Sequence, residues 1–518
     1  MKKTISILII SITLLLSGFQ IFQDFHKEQI KIWDESRGAV NAVEMLQNGN
    51  CIVVTFDGTP DYWNSKPPLF VWLKVLCFKV FGVNEFSVRL PSVLAAFFTI
   101  ALILFFSIKF LKNIWVGVLA SLVMITSKGY LGYHVTRNGD PDSLLILFVT
   151  LYSLVFFIIL EVYPKRKTLL LVLLGVFSFL AIFTKAIAGI APMAGLAVYM
   201  IFSKKSIDLL KDWRFHLTWI LVLLLISSYY FARELQDPGY FRKVLQTEIG
   251  LFADYYVGTP KHPEKSFYFN YLRTSAFSRY FWILLFSFPL LLFASEKRIQ
   301  KFLLFCLVAG TILLVGFSMS VTKNEWYIAT IYPFLSFAVG ITLFEYYKIL
   351  KYRTFEEIKT TVTQTVNSVL KPIEKILNVT GKFARKYATI IALIGAVLLF
   401  VNPYKWIYKM NRYDATGYIY EPERAGAYIR ELYRKNLITD STIVVSKYNH
   451  DQIKFYTKKI FFETKMNVLI SSNLPEEISG KTIITDKNIK SSSIDSTFNC
   501  ELLDEGKYCV LIRILDKK

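Results

Sequence analysis

Trp33-Asp34-Glu35-Ser36-Arg37 sets two carboxylates and a guanidinium side by side, a short way past the first apolar run. The same polar stretch runs on to Ser65-Lys66-Pro67-Pro68. A placed carboxylate can take a proton from an attacking group, commonly worth ~10²–10⁴-fold in rate. Lysine and arginine can hold an anion, one as a point charge and the other as a fork. Further charges flank later apolar runs: Arg137, Asp140, Asp142, Lys185, Lys323 and Glu325. Taken singly, each is most simply a charge that snorkels from a helix end. Ionisable groups at membrane depth are nevertheless expensive and usually paired or functional. The placement of Asp34, Lys66, Arg137, Asp142, Lys185 and Lys323 on one side is not explained by snorkelling.

The elements that position these groups are membrane spans. The 518 residues are 54% hydrophobic and only 19% charged, with mean hydropathy +0.41. Soluble domains carry roughly 25% charged residues. Apolar runs long enough for a spanning helix, ~20 residues, are predicted at 4–22, 89–108, 114–133, 143–162, 168–184, 186–202, 215–232, 276–294, 302–320, 326–347 and 388–407. The fold class is therefore mainly α, a polytopic helical membrane protein. The first run follows Lys2-Lys3, and no small-x-small cleavage site precedes Gln23, so it reads as a retained span. The net charge of +21 would suggest nucleic acid in a soluble protein; here it reads as basic loops facing anionic lipid.

Alternate loops set the orientation. Lys109/Lys112, Lys165-Arg166-Lys167, Lys204/Lys205/Lys211/Arg214, Lys297/Arg298/Lys301 and Lys348/Lys351/Arg353 fall in the predicted inner loops, as the positive-inside rule requires. The loops 23–88 and 233–275 are then external. Within 23–88, one short helix starts after Asp34 and is ended by Gly49; a second opens at Pro67-Pro68, runs through Phe81 and ends at Gly82. Residues 348–387 form an amphipathic insert on the inner surface, where the sequon Asn378-Val379-Thr380 would be silent. The division is thus a transmembrane part at 1–409, which carries the candidate residues, and a small external α/β part at 410–518. In the latter a helix is predicted at 422–435, with strands at 442–446, 458–462, 468–471, 482–485 and 508–514. Its role reads as structural or acceptor-guiding. The five cysteines show no CxxC pair, and Cys500 with Cys509 reads equally as a disulfide or as two thiols.

Several stretches together resemble a known family. They are Asp34-Glu35-Ser36-Arg37, Ser65-Lys66-Pro67-Pro68-Leu69, the run Phe81 to Ser92, Thr136-Arg137 through Asp142, Thr184-Lys185, and Lys323-Asn324-Glu325-Trp326-Tyr327 with Tyr332-Pro333. In this order they resemble the polyprenyl-phosphate-dependent glycosyltransferases of the GT-C fold, especially the branch of the bacterial lipid A aminoarabinose transferases and protein mannosyltransferases. Asn64-Ser65 stands where that family often has an aromatic–acid pair, and Lys185-Ala186 where it has Lys-Gly.

The resemblance implies a multi-pass protein of the bacterial inner membrane, with site and C-terminal part on the periplasmic side. It implies a polyprenyl (undecaprenyl) phosphate-sugar donor and a glycolipid acceptor such as lipid A, with a protein acceptor as the alternative. Asp34 would be the catalytic base and Asp142 a second acid. Lys66, Arg137, Lys185, Lys323 and Tyr327 would hold donor phosphate or sugar, with Glu35, Arg37 and Asp140 one layer behind. Metal-free transfer is the expectation, although acids grouped on one face would also suit a divalent ion. A lipid or glycan transporter is the rival of another class. It would need charges at mid-membrane and broken, repeated helices, and neither is evident in the sequence.

Overall fold

The computed structural model describes residues 3–132, 134–162, 166–250, 264–294, 296–352, 386–412, 420–446, 451–474, 478–490 and 494–518. The first helices are α1 (Lys3–Phe22), α2 (Asp34–Asn48), α3 (Leu69–Phe81), α4 (Glu85–Lys109), α5 (Ile114–Ile125), α6 (Lys128–Leu131), α7 (Asp142–Phe157) and α8 (Lys167–Lys185). There follow α9 (Ile187–Ile190), α10 (Pro192–Met200), α11 (Ser206–Leu210), α12 (Trp213–Gln236), α13 (Tyr240–Gly250), α14 (Phe267–Tyr271), α15 (Ser278–Leu285), α16 (Ser287–Phe293), α17 (Lys297–Met319) and α18 (Tyr332–Tyr352).

Among the described residues eight helices are long and apolar enough to cross a membrane, the last being Lys386–Asn411. Three expected spans are interrupted instead. The run 114–133 stops at Ile125 and resumes as the single turn α6. The run 186–202 breaks between α9 and α10, where Pro192 opens the new helix because its missing N–H costs nothing in a first turn. The run 276–294 divides into α15 and α16, with Pro289 again in a first turn. Broken spans thus exist where none were expected. Small residues let the helices close on each other: a Cβ on Gly340 would stand 2.9 Å from the Ala120 nitrogen, and one on Gly195 would stand 2.8 Å from the Ala309 Cα.

The basic ends of the spans meet at one end of the bundle. Lys301 Nζ lies 2.5 Å from Glu161 Oε2, Lys167 pairs with Asp212 at 2.8 Å, and Arg298 donates to the Phe110 carbonyl. The segments around 34, 140, 185 and 326 lie together at the other end, around one cavity. The insert 348–387 and its sequon lie almost wholly outside the described residues.

Beyond 420 a five-stranded sheet has the order β4-β3-β5-β7-β6, following the small hairpin β1 (Thr55–Phe56) and β2 (Thr59–Pro60). Its strands are β3 (Thr442–Val445), β4 (Leu469–Ser471), β5 (Thr482–Asp486), β6 (Phe498–Glu505) and β7 (Cys509–Lys517). β3 pairs in parallel with β4 and β5, while β7 is antiparallel to β5 and β6. The expected strand at 458–462 is part of a helix, Asp451–Thr464, because Ile453, Tyr456 and Ile460 fall at helical spacing on a buried face. Strand β6 was not foreseen, since its residues are mostly exposed or half-buried.

This C-terminal part shares a hydrophobic core with the first polar loop. Val40 and Val43 of α2 and Val71 and Phe78 of α3 pack with Ile429, Leu432, Tyr456 and Ile460. The Tyr456 hydroxyl accepts from the Ile30 backbone N–H and donates to Glu85 Oε1. Lys458 and Lys454 reach Glu44 and Asp57 at 2.9 and 2.7 Å.

Candidate active site

Asp34 is the first residue of α2, where the unpaired N–H groups of a helix start favour a carboxylate. Trp33 before it takes φ 70° and turns the chain into the helix. Glu35 fixes that helix end. Its carboxylate accepts from Arg89 Nε at 2.6 Å, Arg89 Nη2 at 2.8 Å, Lys31 N and Gly139 N. Arg89 of α4 spends its remaining donors on the carbonyls of Phe25, Glu28 and Gln29. Gly139 must be glycine here, because a Cβ would stand 2.4 Å from Val88 Cγ1 and 3.3 Å from Glu35 Cγ.

The loop that carries Lys66 hangs from Asp61. Asp57 and Gly58 both have positive φ and make the tight turn of the β1–β2 hairpin, with their N–H groups on the Glu44 carboxylate. Asp61 then accepts from Arg37 Nε and Nη2, from Asn41 and from the Trp63 backbone. Tyr240 of α13 donates to the Ser65 carbonyl at 2.6 Å. Lys66 follows, half-buried, and Pro67-Pro68 starts α3.

Across from these elements Asp142 opens α7 and Lys185 ends α8, with Lys185 Nζ 2.7 Å from Asp142 Oδ1. Together they line a cavity of about 230 Å³ with Asp34, Arg37, Lys66 and Tyr327. Its remaining polar wall includes Asp140 and Lys74. The structure therefore brings Asp34, Arg37, Lys66, Asp140, Asp142, Lys185 and Tyr327 to one cavity, with Glu35 directly behind.

Two residues expected at the donor, Arg137 and Lys323, do not line the cavity. Arg137 points away, donating to the carbonyls of Gln20 and Ile21 at the end of α1 and of Asn411 at the end of the last span. Carbonyls at helix C-termini lack helical partners, and Arg137 fills that need. Lys323 does not line the cavity; its Nζ donates to the Ser320 carbonyl within its own turn. Asn324, Trp326 and Tyr327 carry that segment's contribution to the wall.

Two further groups escaped the sequence reading. His134 sits at φ 67°, stacked on Trp326 with ring centroids 3.8 Å apart. Its Nδ1 is 3.0 Å from Asp140 Oδ2 and 3.9 Å from Asp34 Oδ2. Burial disfavours the imidazolium, but Asp140, Asp34 and Asp142 outweigh it and raise the His134 pKa. Lys74, on the inward face of α3, is 1% exposed. Burial pushes its pKa down to about 8 against the pull of Asp140, Glu35 and Asp34. α3 carries two lysines, Lys74 and Lys79, and its apolar pattern does not mark the first as the buried one.

Asp34 itself is 39% exposed at the side chain. Burial alone would raise its pKa; Lys66, His134 and Lys185 together lower it below the usual carboxylate range. The site thus offers an ionised carboxylate facing a cavity with lysines on two other walls. Among the described residues no three His, Cys, Asp or Glu side chains converge as a metal-ligand set.

The chain is similar to several known proteins. The family model described as dolichyl-phosphate-mannose-protein mannosyltransferase matches residues 65–230. A functionally unassigned protein of Aquifex aeolicus is 24% identical over 453 residues, covering 84% of this chain and 85% of its own length. The undecaprenyl phosphate-alpha-4-amino-4-deoxy-L-arabinose arabinosyl transferase of Shewanella sediminis is 29% identical over 217 residues, 40% of this chain and 37% of that protein. Among solved structures, ArnT from Cupriavidus metallidurans bound to undecaprenyl phosphate superposes with TM-score 0.65 at 16% identity, covering 99% of this chain and 98% of that one. The likeness extends over the whole chain and shows the GT-C fold.

Proposed function

We propose that this membrane glycosyltransferase, of the GT-C fold and aminoarabinose-transferase-like, takes a sugar from a polyprenyl phosphate donor and passes it to a glycolipid. Lipid A is the leading candidate for the acceptor. The observation that carries the reading is the ionised Asp34 carboxylate facing a cavity that also holds Lys66 and Lys185. Asp34 takes the proton of the acceptor hydroxyl or phosphate as its oxygen bonds to the anomeric carbon. The bond from that carbon to the phosphate oxygen breaks, and polyprenyl phosphate leaves with the electron pair. Attack from the face opposite the phosphate inverts the anomeric centre.

Lys66 and Lys185 offset the charge that grows on the leaving phosphate, and Tyr327 lines the same wall. Asp142 orients Lys185 rather than moving a proton, since its Oδ1 already holds the ammonium. The cluster of basic span ends opposite the cavity supports an inner-membrane protein with its site on the periplasmic side. A protein hydroxyl as acceptor is the second reading, favoured by the description of the family model that matches residues 65–230.

The test gives purified protein a labelled undecaprenyl-phosphate sugar with a lipid A acceptor or a peptide. Asp34→Asn should lose transfer by ~10²–10⁴-fold, and Lys66→Ala should weaken use of the donor. Full transfer by both variants would overturn the mechanism.

A further inference from the structure

The acids at the cavity are already matched by cations of the chain itself. Asp142 has Lys185 at 2.7 Å, Asp140 has His134 at 3.0 Å, and Asp61 just behind has Arg37 at 2.8 Å. Asp34 has His134 at 3.9 Å and is needed for the acceptor's proton. An ammonium group arriving on a sugar would meet carboxylates that each already have a cation of the chain nearby, Asp34 being the least closely held.

The cations are matched less completely. Among the described residues neither Lys66 nor Lys74 makes a hydrogen bond or an ion pair with an acid, and both line the cavity. Lys66 is half-buried and suits the donor phosphate. Lys74 is different in kind. It is almost fully buried, its ammonium stands 4.9 Å from the Phe70 ring centroid, and it reaches past α2 at Gly38. A Cβ on Gly38 would lie 2.8 Å from Lys74 Nζ, so any larger residue there would push the ammonium aside. Gly38 is one helical turn beyond Asp34. Asp34, Glu35 and Asp140 act on Lys74 only from a distance, each being held elsewhere. A buried charge left without a counter-ion is costly, and here the missing counter-ion faces the substrate cavity.

We propose that the transferred sugar carries an acidic group, a carboxylate of the uronic-acid type, which Lys74 receives through the notch at Gly38, and that an amino sugar is a poor substrate. This rests on the reading that a polyprenyl phosphate sugar is the donor. It makes Lys74 a specificity residue, set apart from the lysines that face the phosphate.

The experiment uses the full chain in detergent or nanodiscs with undecaprenyl phosphate carrying glucose, glucuronic acid or glucosamine. The parent should use the glucuronyl donor best and the glucosaminyl donor worst. Lys74→Met should lower kcat/KM for the glucuronyl donor at least about tenfold more than for the glucosyl donor, the scale of one charge-assisted hydrogen bond. Gly38→Ala, which keeps the lysine and displaces it, should blunt the same preference. A parent that prefers glucosamine, or a Lys74→Met that loses all three donors equally, would overturn the proposal. So would a Lys74→Met that changes only the KM of an acidic acceptor, whatever the donor. A parent inert with every donor would remove the donor reading itself and this proposal with it, whereas an active but indifferent parent would remove this proposal alone.

Discussion

Lys185 Nζ and Asp142 Oδ1 lie 2.7 Å apart, so the cation that ends α8 is held by the acid that opens α7. This pair turns two helix ends into one wall of the cavity. It predicts that Asp142→Asn and Asp34→Asn fail differently. Asp34→Asn should lower kcat by ~10²–10⁴-fold while donor binding is kept. Asp142→Asn should act chiefly on the donor KM, because it releases Lys185. Steady-state kinetics of the two variants separates these outcomes, and equal losses in kcat would argue that Asp142 itself moves a proton.

The pH profile should carry the mark of the charges around Asp34. Its burial raises the carboxyl, and Lys66, His134 and Lys185 more than offset that. The acid limb of kcat/KM should therefore lie below the ordinary aspartate value of ~3.9. Lys66→Met or His134→Gln removes a lowering charge, and the limb should move to higher pH. A limb that stays fixed in both variants would mean that another group titrates.

Two arginines, Arg89 and Arg137, belong to the frame of the site. Arg89 is the counter-ion of the buried Glu35, and Arg89→Met should cost ~3–5 kcal/mol by stranding that carboxylate. Arg137→Gln should cost ~1–3 kcal/mol through its unsatisfied carbonyls, with the donor KM unchanged. Thermal unfolding in detergent alongside donor KM distinguishes both from Lys66→Ala.

Cys500 and Cys509 should remain thiols. β7 sets Cys500 opposite Ile514, while Cys509 pairs with Asp486 on the other side. The five residue steps from 509 to 514 separate the two cysteines by roughly 17 Å along the strand, far beyond the ~7 Å limit between Cα atoms. Alkylation of unfolded, unreduced protein followed by mass spectrometry should find both labelled.

The helices around the site were legible because local chemistry marks them. Gly49 and Gly82 close α2 and α3 as expected, both at positive φ. Asp34, Lys66, Asp142 and Lys185 reach one cavity as the placement of charges at the ends of the spans suggested, and Tyr327 joins them as the resemblance implied. What the sequence concealed depends on direction. Arg137 is one residue before Asn138 in a loop whose neighbouring groups face the site, yet it points at two helix ends. Periodicity cannot say which way a loop residue turns. Lys74 was hidden for the opposite reason, because α3 is apolar on both faces and nothing in its pattern says which one is buried. His134 depends on a backbone turn with positive φ that histidine only occasionally adopts.

The shared core of α2, α3 and the helices Arg424–Arg434 and Asp451–Thr464 also sets an order of assembly. A chain made from its N-terminus delivers Asp34 and Lys66 to the membrane surface early. The residues that cover their helices, from Ile429 to Ile460, are synthesised only after the bundle between them. Until then Val40, Val43 and Phe78 have no lid. The segment that holds the reaction is thus the first to arrive and among the last to be completed, and the interval in between is when this protein is most exposed to proteases and to misassembly.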